Sequence, residues 1–232
     1  YLNQLISHKH NGLIKIISGI RRCGKSYLLS ELFRKHLLAE GVKKDHIIHI
    51  ALDDYEKKQY RNPDNCYKYV KSSIKDDEMY YLLLDEVQMM DSFEDVLNGF
   101  LHIKNLDVYV TGSNSKFLSS DVVTEFRGRG DEIRVYPFSF AEFYSAVGGD
   151  WSDAWREYYT YGGMPLILSK KTDEEKAKYL QDLFKETYIR DIEERNKIKN
   201  NDELEELINV IASGIGCLTN PQKLASTFNS VK

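Results

Sequence analysis

Four residues at fixed intervals, Gly19, Gly24, Lys25 and Ser26, spell G-x-x-x-x-G-K-[ST] within the stretch "GIRRCGKS". The apolar run "LIKIIS" stands directly before it and "YLLSELF" directly after. The pattern therefore sits where a strand hands over to a helix, the setting its chemistry requires. Glycine lets the backbone curl until successive N–H groups converge as an anion nest, and the following helix adds its positive N-terminal end. In such a cradle Lys25 is placed to reach the β- and γ-phosphates of a nucleotide, and the Ser26 hydroxyl to ligate Mg2+. The loop residues Arg22 and Cys23, with Tyr27 just past the motif, complete the candidate nucleotide contacts. Cys23 reads as a small filler there rather than as a reactive thiol.

Hydrolysis needs carboxylates as well, and "YYLLLDEVQ" supplies two at the end of an apolar strand. Asp85 is the candidate for the Mg2+ shell, and Glu86 for the general base that polarises the attacking water. A catalytic Glu directly after the Asp sets the chain apart from small GTPases, and no guanine-reading N-K-x-D element is present, so ATP is expected over GTP. The next polar strand end, in "VTGSNSKFL", offers a side chain to the γ-phosphate or the water; Asn114 is the first choice, with Thr111 and Ser113 as alternates. Further on, "EFRGRGDE" carries Arg127 and Arg129, either of which can stabilise charge in the transition state, in cis or across a subunit contact. Asp53 and Asp54, ending the second strand, are candidates for an outer contact to Glu86 or Mg2+.

These groups need a scaffold, and short aliphatic runs alternate with amphipathic stretches through the first 137 residues, the signature of a parallel α/β sheet. The expected strands cover 13–18, 46–52, 79–86, 106–113 and 131–138, with helices near 25–40, 65–75 and 92–103. Runs such as "YLLLD" are apolar almost throughout, which implies crossover helices on both faces. From Ser139 onward only helices are expected, at 139–147, 151–162, 173–199 and 202–216. A last one begins in "TNPQKLASTF", where Thr219 or Asn220 can N-cap and Pro221 can take the first helical position.

The series "GIRRCGKS", "LLLDEVQ", "VTGSNSKFLS", "FRGR", "YPFSFAEF" and "YGGMPLIL" resembles, in order and spacing, the AAA-like P-loop ATPases of bacteria and archaea that carry a winged helix and a restriction-endonuclease-like C-terminal domain. The resemblance covers nearly the whole chain and implies a five-stranded parallel sheet of order 51432, then a helical lid and the start of a winged helix. The implied boundaries are 1–138 for the ATPase core, 139–172 for the lid and 173–232 for the helices leading into the winged helix. "GGMPLIL" also resembles the Gly-x-Pro element of the signal-transduction ATPases with numerous domains, which implies that Pro165 touches the adenine while Gly162 and Gly163 turn the lid toward it. By the same resemblance the chain is a slow switch for an effector domain rather than a fast enzyme.

Composition narrows the partners. The chain has 232 residues, a net charge of -4 and a pI near 5.9, so no global basic field favours nucleic acid. Three widely spaced cysteines fit a reducing cytoplasm, and neither a signal peptide nor a long apolar span is present. The chain starts at Tyr1 without Met and stops at "TFNSVK", so both ends read as trimmed. The expectation is a cytoplasmic, Mg2+-dependent ATPase switch able to form homo-oligomers, with an effector outside this sequence. The alternative is a DNA-binding regulator that uses the winged helix.

Overall fold

The computed structural model describes residues 1–112, 128–189, 192, 201–218 and 220–230. The chain divides into two compact units, Tyr1–Leu180 and Gln181–Lys232.

The first unit opens with a short helix that the sequence reading did not foresee, α1 (Leu2–Ser7), whose Leu5 is fully buried. Five parallel strands follow: β1 (Ile14–Ser18), β2 (Ile47–Ala51), β3 (Tyr80–Asp85), β4 (Leu106–Thr111) and β5 (Gly130–Arg134). They lie in the order β2-β3-β4-β1-β5, which is the expected 51432 read from the other edge.

Alternate residues of strands β1 to β4 feed two separate cores. Ile14, Ile16, Ile48, Ile50, Leu82, Leu84, Val108 and Val110 face α3 (Pro63–Ser73) and α4 (Phe93–Phe100). Ile17, Tyr81, Leu83, Tyr109 and Ile133 face the helix at 25–39, α2, through Leu28, Leu29, Phe33 and Leu37. Burial of both faces explains why the strands read as unbroken apolar runs.

Where the sequence predicts one regular helix over 25–40, α2 contains a wide π-helical segment at Leu28–Phe33 between Lys25–Tyr27 and Arg34–Ala39. β5 ends at Arg134, short of the expected 138, although the Val135 N–H still donates to Ser18 O at 2.8 Å.

After the sheet come α5 (Phe140–Val147), opened by a capping box between Ser139 and Glu142, and α6 (Trp151–Tyr161), capped by Asp150. Gly163 then meets the chain just before α5, where its carbonyl accepts the Phe138 N–H at 2.8 Å while the Tyr158 hydroxyl donates to Phe138 O. A Cβ at Gly163 would lie 2.1 Å from Phe138 O, so only glycine permits this approach. The division between the units falls within α7 (Asp173–Leu183).

In the second unit a π-helical segment at Phe184–Ile189 precedes α8 (Asn201–Ser213) and α9 (Pro221–Ser230). Of the two candidate caps, Asn220 is seen in that role, its Oδ1 accepting the N–H groups of Gln222 and Lys223; Thr219 lies outside the described residues. Among the described residues no helix is long and apolar enough to cross a membrane.

Candidate functional site

Because all strands are parallel, their C-terminal ends share one edge of the sheet, where α/β folds bind ligands. The loop leaving β1 turns there under two glycines. Gly19 has φ 144°, and a Cβ on it would lie 2.2 Å from Val135 O. Gly24 has φ 101° and stands at the head of α2. Arg22, between them, is also left-handed at φ 63°, a conformation that costs a non-glycine residue about 1–2 kcal/mol. Cys23 is buried, its Sγ 3.5 Å from Val135 O, and burial pushes its thiol up. Tyr27, by contrast, is exposed on the outer side of α2.

Lys25 is buried, and its Nζ donates to Gly19 O and to Ile20 O, both at 2.9 Å. Burial pulls its ammonium below the ordinary lysine value, against the charges of Cys23, Glu86 and Asp85, which hold it up. Those two carboxylates arrive from β3. Asp85 is 4% exposed, and burial raises its carboxyl, while hydrogen bonds from Thr111 and Ser26 act the other way.

Thr111, last residue of β4, ties the two acids together: its Oγ1 donates to Asp85 Oδ1 and accepts the Glu86 N–H at 3.0 Å. Glu86 itself is left-handed at φ 54°, and its Oε2 accepts from Gln88 Nε2. The Ser26 hydroxyl and the Asp85 carboxylate form a donor set of hard oxygens, which suits Mg2+ better than a softer transition metal.

Pro165 opens a 3-10 turn, Pro165–Ser169, and its Cγ lies 3.8 Å from the position of a Cβ at Gly24. Pro165 therefore lies against Gly24 of the loop. Gly162 ends α6 with φ 72°. Burial pushes the Tyr179 phenol up, and the Arg22 guanidinium opposes that shift.

Other candidates lie elsewhere. The Arg129 carbonyl accepts the Ile14 N–H, at the start of β1, and its guanidinium is exposed, 3.4 Å from Asn98 Oδ1. Ile14 and Ser18 span β1, so Arg129 is displaced from the loop by about 13 Å along the strand direction. Asn114, Ser113 and Arg127 lie outside the described residues. Asp54 caps the turn Tyr55–Arg61 through the Glu56 N–H, and the charge of exposed Asp53 reaches Asp85.

Residues 11–144 match the model of the AAA domain family, and residues 152–232 match a domain of unknown function. This chain belongs to the AAA domain family. An uncharacterized protein of Haemophilus influenzae is 32% identical over 237 residues, covering 99% of this chain and 58% of that protein. One from Methanocaldococcus jannaschii is 28% identical over 214 residues, covering 85% of this chain and 46% of that protein. The chain thus spans about half the length of the curated relatives it matches. Among solved structures, the Orc1 protein of Aeropyrum pernix in complex with DNA is similar at 12% identity and a TM-score of 0.46, over 86% of this chain and 60% of that one.

Two residues that bond to Asp85 and Glu86 leave little signal in the sequence. Thr111 is by sequence only an alternate to Asn114, although it shares a face of β4 with Tyr109, and no local pattern marks Gln88, two residues after Glu86. Val135, whose carbonyl closes the loop, leaves no signal in its side chain.

Proposed function

We propose that this AAA domain binds ATP with Mg2+ and hydrolyses it slowly, as a nucleotide-driven switch for an effector. The observation that carries the reading is Thr111, whose hydroxyl joins Asp85 and Glu86 beside Ser26 and Lys25. In this reading the backbone N–H groups of Arg22, Cys23 and Gly24 cradle the phosphates, and Lys25 exchanges its two carbonyl acceptors for phosphate oxygens. Ser26 and Asp85 would hold Mg2+, which supplies charge neutralisation on the phosphate oxygens. Glu86 takes the proton from the attacking water, and Asn114 orients that water or the γ-phosphate. Arg127 or Arg129 acts on a neighbouring subunit's nucleotide, since Arg129 stands at the far end of the strands.

Residues 139–172 form the lid in this proposal, with Pro165 against the adenine, and residues 173–232 carry its movement toward a winged helix. Calorimetric titration with MgATP, paired with phosphate release, tests the reading. Lys25→Ala should abolish binding, whereas Glu86→Gln should bind and not turn over. Tight ATP binding by Lys25→Ala would refute it.

A further inference from the structure

Residues two apart on a regular helix do not face one another, yet the Gln88 side chain reaches back to the Glu86 carboxylate. The backbone makes this meeting. Glu86 turns left-handed, with its N–H held by Thr111, and its carbonyl accepts the Met89 N–H at 3.0 Å to begin the 3-10 turn Val87–Met89. That turn folds Gln88 over the carboxylate, and both side chains are half-buried. Resting on the hydrolysis reading above, we propose that Gln88 is a positioning residue that holds the Glu86 carboxylate in the orientation from which it takes a proton from water.

The amide is chemically suited to this. Glu86 has three rotatable side-chain bonds, and a fixed partner removes the freedom that would otherwise scatter its carboxylate. One amide N–H takes only one of the acceptor positions that the two lone pairs of each carboxylate oxygen provide. A lysine or arginine in the same place would also orient the acid, but its charge would weaken the carboxylate as a base. The neutral Gln88 orients without that penalty. The contact with the Glu86 carboxylate places the effect of Gln88 on the proton-transfer step.

The test is a kinetic cycle on the whole chain with wild type, Gln88→Met, Glu86→Gln and the double variant, each checked for MgATP binding. Methionine keeps the length of the side chain and removes the donor. Gln88→Met should lower kcat about tenfold while KM for ATP stays within twofold, the pattern of an interaction felt in the transition state. In single turnovers, Gln88→Met should leave the residual rate of Glu86→Gln unchanged, since the two residues act as a unit. Gln88→Asn, which retains an amide, should recover part of kcat, and Gln88→Leu, which also lacks the donor, replaces Gln88→Met in the cycle should that variant not fold. An unchanged kcat, a rise in KM alone, or the same loss in the Glu86→Gln background would overturn the proposal while leaving hydrolysis standing. A wild-type chain that binds MgATP and never turns over would remove both together.

Discussion

Pro165 stands over Gly24, its Cγ 3.8 Å from where a Cβ on that glycine would lie. Space is not what excludes a side chain here, because 3.8 Å is ordinary contact; the backbone is, at φ 101°. Gly24→Ala should therefore cost on the order of 1–2 kcal/mol in thermal unfolding and abolish nucleotide binding. Pro165→Ala removes the ring that faces Gly24. If the proline touches the base, this variant should bind inorganic triphosphate as wild type does and lose preference for ATP over triphosphate. An unchanged ratio of the two affinities would exclude Pro165 from the base site.

Thr111→Val keeps the shape of the side chain and deletes both of its hydrogen bonds. The buried Asp85 carboxylate then loses a donor and the Glu86 N–H an acceptor, which together should destabilise the fold by about 1–3 kcal/mol. Thr111→Ser should recover most of that in denaturant titration. Equal stability of the valine and serine variants would mean that the hydroxyl does not tie the acids.

Asp85 predicts a pH effect on stability. Burial raises its carboxyl above the ordinary 3.8, so between 3.8 and the raised value the folded chain binds more protons here than the unfolded chain. The contribution of Asp85 to stability is then fully present below 3.8 and is lost as pH rises through the raised value. Asp85→Asn, which has no proton to gain, should be more stable than wild type at pH 7, and its advantage should shrink as pH falls through that window. A constant difference from pH 7 to pH 4 would contradict the raised carboxyl.

The three thiols should separate by reactivity. Cys66 is fully buried and its thiol is pushed up to about 12; Cys23 is buried and raised; Cys217 is exposed. At pH 8 a disulfide reagent should label Cys217 within seconds and the other two only after unfolding, because the thiolate is the attacking form. Native labelling of Cys66 at the rate of Cys217 would contradict the burial.

How far the sequence foretold this arrangement can be traced residue by residue. Strands β1 to β4 are legible because double-sided burial leaves apolar runs, and Asp85 with Glu86 because a strand end and its carboxylates are adjacent in sequence. What joins distant strands was not visible. The pairing of Leu84 with Val110 sets Thr111 beside Asp85, and no local pattern encodes that register. Arg129 shows the converse: "FRGRG" suggests an arginine near the phosphate, but β5 begins only at Gly130 and runs toward the loop, leaving Arg129 behind. The π-helical segment of α2 and the helix at Leu2–Ser7 have no strong signature of their own; packing against the sheet selects them.

The meeting of Gly163 with Phe138 has a consequence for how this protein can vary. Beyond β5 the chain passes Phe138, runs out through α5 and α6, and returns to hydrogen-bond that same residue. Residues 139–162 are therefore a closed excursion, a cassette with both ends fastened at one point. Lengthening, shortening or exchanging the hairpin does not alter the distance between those ends, so the phosphate loop under Pro165 is insulated from changes at the hairpin's tip. The site can stay fixed while that tip diversifies.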